Sequence, residues 1–205
     1  MTPGPSIKGS VCVRGVEDVQ GLVRAGRLSQ KDLEKRLQME DLELLETPIQ
    51  PMGWYDVGTY GRLLDLLRDV EGQGKSEYLR KRGARSAQVL IDGGLYQQLQ
   101  YLNRTQVSQE YDAHARFQAF GRDLRLLTSL HASILNFGRQ TANVDPEQAD
   151  RYVIEMTEVG PMPDSLCWTT DGFINRMAGQ HGHAELWHWE RPQRDHVVFR
   201  MLRQP

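Results

Sequence analysis

The hydrophobic period of this chain changes once, around the polar stretch "TANVDPEQAD" at 141–150, and that change constrains the fold more than any motif. Before it, apolar residues recur at helical spacing: Tyr60, Leu63, Leu64 and Leu67 stand at i, i+3, i+4 and i+7. The same period runs through Phe117, Phe120, Leu124, Leu127, Leu130, Ile134 and Phe137. After it, "RYVIEMTEV" alternates, Tyr152, Ile154 and Met156 against Val153, Glu155 and Thr157, which is the pattern of a strand. "HAELWHWE" and "HVVFRML" read as two further strands joined by the turn "RPQRD", with a helix over "LCWTTDGFINRMAGQHG" before them. The predicted fold is α+β: an N-terminal helical region packed on a small, mainly antiparallel C-terminal sheet of strand-helix-strand-strand order. The expected division is an N-terminal segment at 1–10, a mainly helical part at 11–145 and a β-α-β-β part at 146–205, all within one domain.

Local signals refine this outline. Gly15, Gly21 and Gly26 penalise a long helix, so a short strand or turn followed by a short helix is expected there. Ser29 is placed to cap "QKDLEKRLQ", and "MEDLELLETPI" should form a second short helix closing before Pro48. A longer helix follows "PMGWYDV". The next helical stretch should break near Gly83 and Gly93-Gly94, where "DGGL" reads as a turn. The region 108–140 is read as two helices meeting near Gly121 or one long bent helix. Asp164 or Ser165 is expected to cap the helix of the C-terminal part, with Leu166, Phe173, Ile174 and Met177 on its buried side and Gly179 or Gly182 at its end.

A net charge of −2 gives no broad basic field, so nucleic acid is not an expected partner. The cysteines Cys12 and Cys167 form no CxxC pair, which argues against a zinc module or a disulfide scaffold. No apolar run approaches the roughly 20 residues of a membrane span, and "MTPGPSIKGS" lacks a signal-peptide core. A cytoplasmic location is expected.

The stretch "GQHGHAELWHWERPQRDH" holds four of the six histidines, which raises the question of a metal site. A strand sends successive side chains to opposite faces, so His183 and His188 diverge, and His181 falls at a helix end. No metal site is expected. No GxSxG, HExxH, P-loop or GxGxxG motif is present, and no catalytic residue is assigned. His131 stands among apolar neighbours in "LLTSLHASILNF", either as a satisfied histidine at the core margin or as an axial haem ligand. Trp187 and Trp189 share one strand face, where they close a core, line a pocket or form a partner surface.

"IKGS", "PMGWYDVGTYGRLLDLL" and "YLRKRGARSA" taken in order resemble an uncharacterised paralogous family best known from myxobacteria. Lys8-Gly9-Ser10, Trp54-Tyr55 and Arg82 to Ala87 are the matching positions. The C-terminal third looks like the wider ligand-binding superfamily of haem-nitric-oxide-binding and 4-vinyl-reductase-type domains. That resemblance implies a regulatory, ligand-holding domain, with His131 at the position of the haem branch's proximal histidine. The sequence departs from the haem branch in lacking its Tyr-x-Ser-x-Arg motif, and from the other branch in lacking a cysteine in the closing strand pair.

The expected function is a non-enzymatic signalling or protein-interaction module without a cofactor, with an apolar pocket between the 111–137 helical region and the sheet. Leu127, Leu130, His131 and Ile134 would line that pocket, while Trp187 and Trp189 would form the partner surface. Expected partners are another protein, a small apolar ligand and a second copy of the chain as a homodimer. The alternative is a haem or small-molecule sensor that uses His131.

Overall fold

The computed structural model of the chain describes residues 4–93, 113–183 and 185–205. The expected break at Gly94 and the start of the helix expected from 108 lie outside these residues. The first element, β1 (Ser6–Lys8), leads directly into α1 (Gly9–Arg24). Here the expectation of a short strand or turn and then a short helix is corrected: α1 is a single helix of 16 residues. Its apolar positions Cys12, Val16, Val19 and Leu22 are buried at helical spacing, and burial of that stripe outweighs the glycine penalty.

Ser29 caps α2 (Gln30–Arg36) in a reciprocal box: its hydroxyl accepts from the Asp32 N–H, and the Asp32 carboxylate accepts from the Ser29 N–H. The next helix, α3 (Met39–Glu46), ends before Pro48 as expected. A second short strand, β2 (Trp54–Asp56), pairs antiparallel with β1 and runs into α4 (Val57–Glu71). Tyr60, Leu63, Leu64 and Leu67 are all buried on α4. The Asp56 carboxylate caps α4 by accepting from the Thr59 N–H at 2.7 Å.

The helix α5 (Ser76–Asp92) passes through Gly83 without the expected break. The reason lies in α8 (Asp164–Ala178), which crosses it. A Cβ on Gly83 would collide with the Thr169 carbonyl, and one on Gly172 with the Arg80 carbonyl. Each helix therefore offers a notch to the other's backbone, and the glycines permit the approach instead of breaking the helix. Between them in sequence come α6 (Ala113–Ser129), continuous through Gly121, and the single turn α7 (His131–Ile134).

The main sheet is four-stranded and antiparallel, in the order β3-β4-β6-β5. Its strands are β3 (Arg139–Val144), β4 (Tyr152–Thr157), β5 (Trp187–Gln193) and β6 (His196–Met201). The sheet therefore begins inside the region read as helical, because β3 occupies residues 139–144. Register places Ala142, Ile154, Phe199 and Trp189 in one row, all buried beneath the helices. The opposite face carries rows such as Asn143, Val153, Arg200 and His188. That face is exposed at Asn143 and His188, toward the sheet edges, while Val153 and Val198 in its middle are buried. One buried apolar cluster runs from Ile7 and α1 through α4 to Trp187, Phe199 and Met201 on the sheet.

Neither Asp164 nor Ser165 caps α8, whose N-cap is Pro163 with no side-chain bond. Asp164 accepts from Arg191 at 3.0 Å, and the Ser165 hydroxyl donates to the Gly61 carbonyl at 3.3 Å. Tertiary partners have taken both candidate caps. At the other end α8 gives way to a turn of 3-10 helix, closed by Gly182 in the left-handed region.

The crossing of α5 and α8 generates a stability prediction. Gly83→Ala and Gly172→Ala should each destabilise the fold by about 2 kcal/mol or more, because backbone must move. Gly21→Ala, with its nearest atom at 4.0 Å, should stabilise it by about 0.5 kcal/mol. Urea denaturation followed by circular dichroism measures both. A neutral Gly83→Ala would show that the helices do not meet at this notch.

Candidate functional site

Each wall of the candidate site comes from a different element. The helix α6 supplies Phe120, Asp123, Leu124 and Leu127; α8 supplies Ile174, Met177 and Ala178; Trp187 of β5 is the floor. The result is an apolar cleft in which Asp123 is the one ionisable lining group among the described residues. It measures about 20 Å³ of solvent-sized space, room for about one water.

Two sets of contacts hold the walls. Tyr152 stacks on Phe117 with ring centroids 4.3 Å apart, and its hydroxyl donates to the Phe117 carbonyl at 3.1 Å, which fastens α6 to β4. Phe120 stacks over Trp187 with centroids 6.4 Å apart. On the other wall, Asn175 bonds both main-chain groups of Trp187. The Trp187 N–H donates to Asn175 Oδ1 at 2.8 Å, and Asn175 Nδ2 donates to the Trp187 carbonyl at 3.0 Å.

Behind Asn175 a polar chain continues outward. Its Nδ2 also donates to Asp171 Oδ1 at 3.2 Å, Arg80 Nε donates to the same oxygen at 2.6 Å, and Arg80 Nη2 reaches Glu185. Burial pushes the Asp171 carboxyl above its ordinary range even with Arg80 and Asn175 pulling the other way. Asp171 and Asn175 carry no motif, but two polar residues four apart on the buried side of an amphipathic helix are the signal that could have singled them out.

Of the four residues expected to line a pocket, Leu127 alone lies in this cleft. Leu130 is 38% exposed, and Ile134 packs half-buried against the main core. His131 opens α7, half-buried, and its Nε2 has no hydrogen-bond partner among the described residues. Burial holds its pKa below the ordinary 6.5, favouring the neutral imidazole. The periodicity had put all four on one helix face. The chain turns after Ser129, so His131 and Ile134 belong to a separate helix and face elsewhere. His131 lines neither of the two clefts described, so neither offers a haem an axial histidine from that position.

The expected partner surface is also corrected. Trp187 and Trp189 are 2% and 9% exposed, on the sheet face that the helices cover. Trp189 meets Trp168 edge-on, with centroids 5.2 Å apart. They belong to the core because Met201 and Phe199 lie opposite them on β6, on the same buried face.

Other chemistry is sparse. His188 is exposed on the outer sheet face, and His196 Nε2 lies 3.5 Å from Glu155 Oε1. No group of three or more potential metal ligands occurs among the described residues. Burial pushes the thiols of Cys12 and Cys167 up to about 12, so neither is a ready nucleophile. A second groove of about 210 Å³ is lined by Arg36, Arg62, Asp65, Leu66 and Asp69. Each of its charges has a partner, two of them outside the groove: Arg62 grips buried Asp41 with two bonds of 2.7 Å, Asp65 pairs with Arg68 at 2.8 Å, and Arg36 lies 3.8 Å from Asp69. No described helix is long and apolar enough to cross a membrane.

Comparison of the chain with protein-family models, with curated proteins and with solved structures finds no match in any of the three.

Two predictions come from this geometry. Asn175→Ala leaves both main-chain groups of Trp187 without their side-chain partner and should cost about 3 kcal/mol in denaturant unfolding. It should also shift tryptophan emission. A loss within error of zero would mean that the Asn175 bridge is dispensable. For His131, the folded pKa lies below the unfolded one, so the unfolded chain binds the extra proton. Stability should hold above pH 6.5 and fall as pH drops below it. His131→Gln should flatten that decline in pH-dependent melting, and an unchanged slope would show that His131 does not drive it.

Proposed function

We propose that the chain is a non-enzymatic signalling module that holds a small apolar ligand in the cleft between α6 and α8. The observation that carries this reading is the composition of the cleft: aromatic and aliphatic walls, an aromatic floor and one carboxylate. Binding sites for small molecules have this character, apolar surface with few placed polar groups, and they form between packed elements. A catalytic site needs several acid, base or nucleophilic groups converging on one point, and the described lining supplies one. Its present volume requires α6 and α8 to part by a rotamer change or a small shift when a ligand enters. The haem alternative is not carried forward, because His131 lies outside the cleft.

The test uses 1-anilinonaphthalene-8-sulfonate as the probe. Saturable probe fluorescence with the full chain, accompanied by energy transfer from tryptophan, is the expected result. Ala178→Leu places bulk in the cleft and should weaken probe binding at least about tenfold, with the melting temperature checked in parallel. Absence of saturable binding, or equal binding by the filled variant, would overturn the proposal. Haemin titration belongs beside it, where no Soret shift dependent on His131 is expected.

A further inference from the structure

The two edges of the main sheet are treated differently by the sequence. An edge strand presents unpaired N–H and C=O groups, and proteins guard such edges with proline, bulges, charge or a covering element. The β5 edge has all of these. Its register breaks between Glu190 and Gln193, Arg191 and Pro192 fall inside that break, and the Trp187 N–H is taken by Asn175. Arg191 also folds over the end of the hairpin, donating to the carbonyls of Arg194 at 2.9 Å and Met162 at 2.8 Å.

The β3 edge has no proline or bulge among the described residues, and its charge is confined to Arg139 at one end. It keeps regular register with β4 over six consecutive pairs, from Arg139 opposite Thr157 to Val144 opposite Tyr152. No proline or lysine interrupts "RQTANV". No backbone group of Arg139 to Val144 bonds outside the β3–β4 ladder among the described residues. Thr141, Asn143 and Val144 are exposed, with Val144 44% accessible.

We propose that β3 pairs antiparallel with the β3 of a second copy of this chain, about a two-fold axis through Ala142, so that two four-stranded sheets become one. Three features select a second copy and this register. Both faces must continue across the seam, buried face to buried face, and a two-fold perpendicular to the sheet does this only when a residue stands opposite its own equivalent. With Ala142 on the axis, Thr141 faces Asn143 of the other copy and Gln140 faces Val144, which places apolar Val144 against the stem of a long side chain. The strand is also complementary in charge to its own reverse. Arg139 opens it, while exposed Glu147 follows its end beyond Asp145, whose carboxylate Arg200 already holds, and this register brings Arg139 of each copy toward the acidic end of the other. Arg139 and Glu147 are exposed, with side chains 76% and 73% accessible; Arg139 lies 3.3 Å from Glu158 and Glu147 3.9 Å from Arg200, solvent-exposed pairs of the kind that exchange readily for contacts across the seam. The proposal does not depend on the apolar cleft.

The experiment is sedimentation velocity of the full chain up to about 100 µM, a range that captures weak dimers. Wild type should show a concentration-dependent dimer. Thr141→Lys with Asn143→Lys alters two exposed side chains and sets lysine against lysine across the seam, so the dimer should weaken at least about tenfold. Thr141→Lys with Asn143→Glu sets lysine against glutamate twice and should restore it. Circular dichroism checks that both variants keep the fold. A wild-type monomer throughout would overturn the proposal, as would a dimer that the double-lysine variant retains or one that the lysine–glutamate variant fails to restore.

Discussion

The rest of the structure depends on how closely α5 and α8 cross. Gly83 admits the Thr169 carbonyl and Gly172 admits the Arg80 carbonyl, so the two helix backbones meet where side chains would hold them apart. That approach brings Arg80 within reach of Asp171, one turn before Asn175, and Asn175 is what ties α8 to the main chain of Trp187. Asp171 is almost fully buried, and a buried ion pair contributes little net stability beyond its desolvation cost. Its contribution is orientation. It holds the Asn175 amide so that one side chain satisfies a donor and an acceptor on the strand at the edge of the sheet. The floor of the apolar cleft is therefore set by a helix crossing on the far side of α8.

The sheet transmits this arrangement because its two faces differ. The inner row of Ala142, Ile154, Phe199 and Trp189 is buried under helices, and the outer face is clamped by charge. On that outer face Arg200 reaches Asp145 at 3.0 Å and Glu190 at 3.1 Å, spanning the sheet from the end of β3 to β5. The stacked Phe117 and Tyr152 pair fixes α6 to the inner face. Between α6 and α8 no comparable polar bridge is seen among the described residues. The cleft opens along that line, where the walls are apolar and held less directly.

The parts of this fold legible in the sequence are those decided by neighbours in the chain. Ser29 and Asp32 form a cap from residues three apart, the Tyr60 to Leu67 stripe needs only helical period, and β4 needs only alternation. Misreadings arose where a partner distant in sequence reversed a local preference. Gly83 reads as a helix breaker until Thr169 is seen to need the space. Ser165 reads as a cap until Gly61 takes its hydroxyl. The strand β3 carries little alternation in sequence because its inner face is Gln140, Ala142 and Val144, of which one is polar and one small. For the site, Leu127 was legible as an apolar helix position, while Asp171 and Asn175 were passed over because their role is to bond another element's backbone.

The sequence by itself determined the class of fold, since the change from a 3.6-residue to a 2-residue period dictates which segments coil and which extend. It also determined that Trp187 and Trp189 share one face, which follows from strand geometry alone. Whether that face is core or surface was decided only in three dimensions, by Met201 and Phe199 opposite on β6 and by Phe120 arriving from α6. The same holds for His131, whose chain position fixes its helix but not its surroundings. Period is a property of adjacent residues, whereas burial depends on what the rest of the chain brings to the other side.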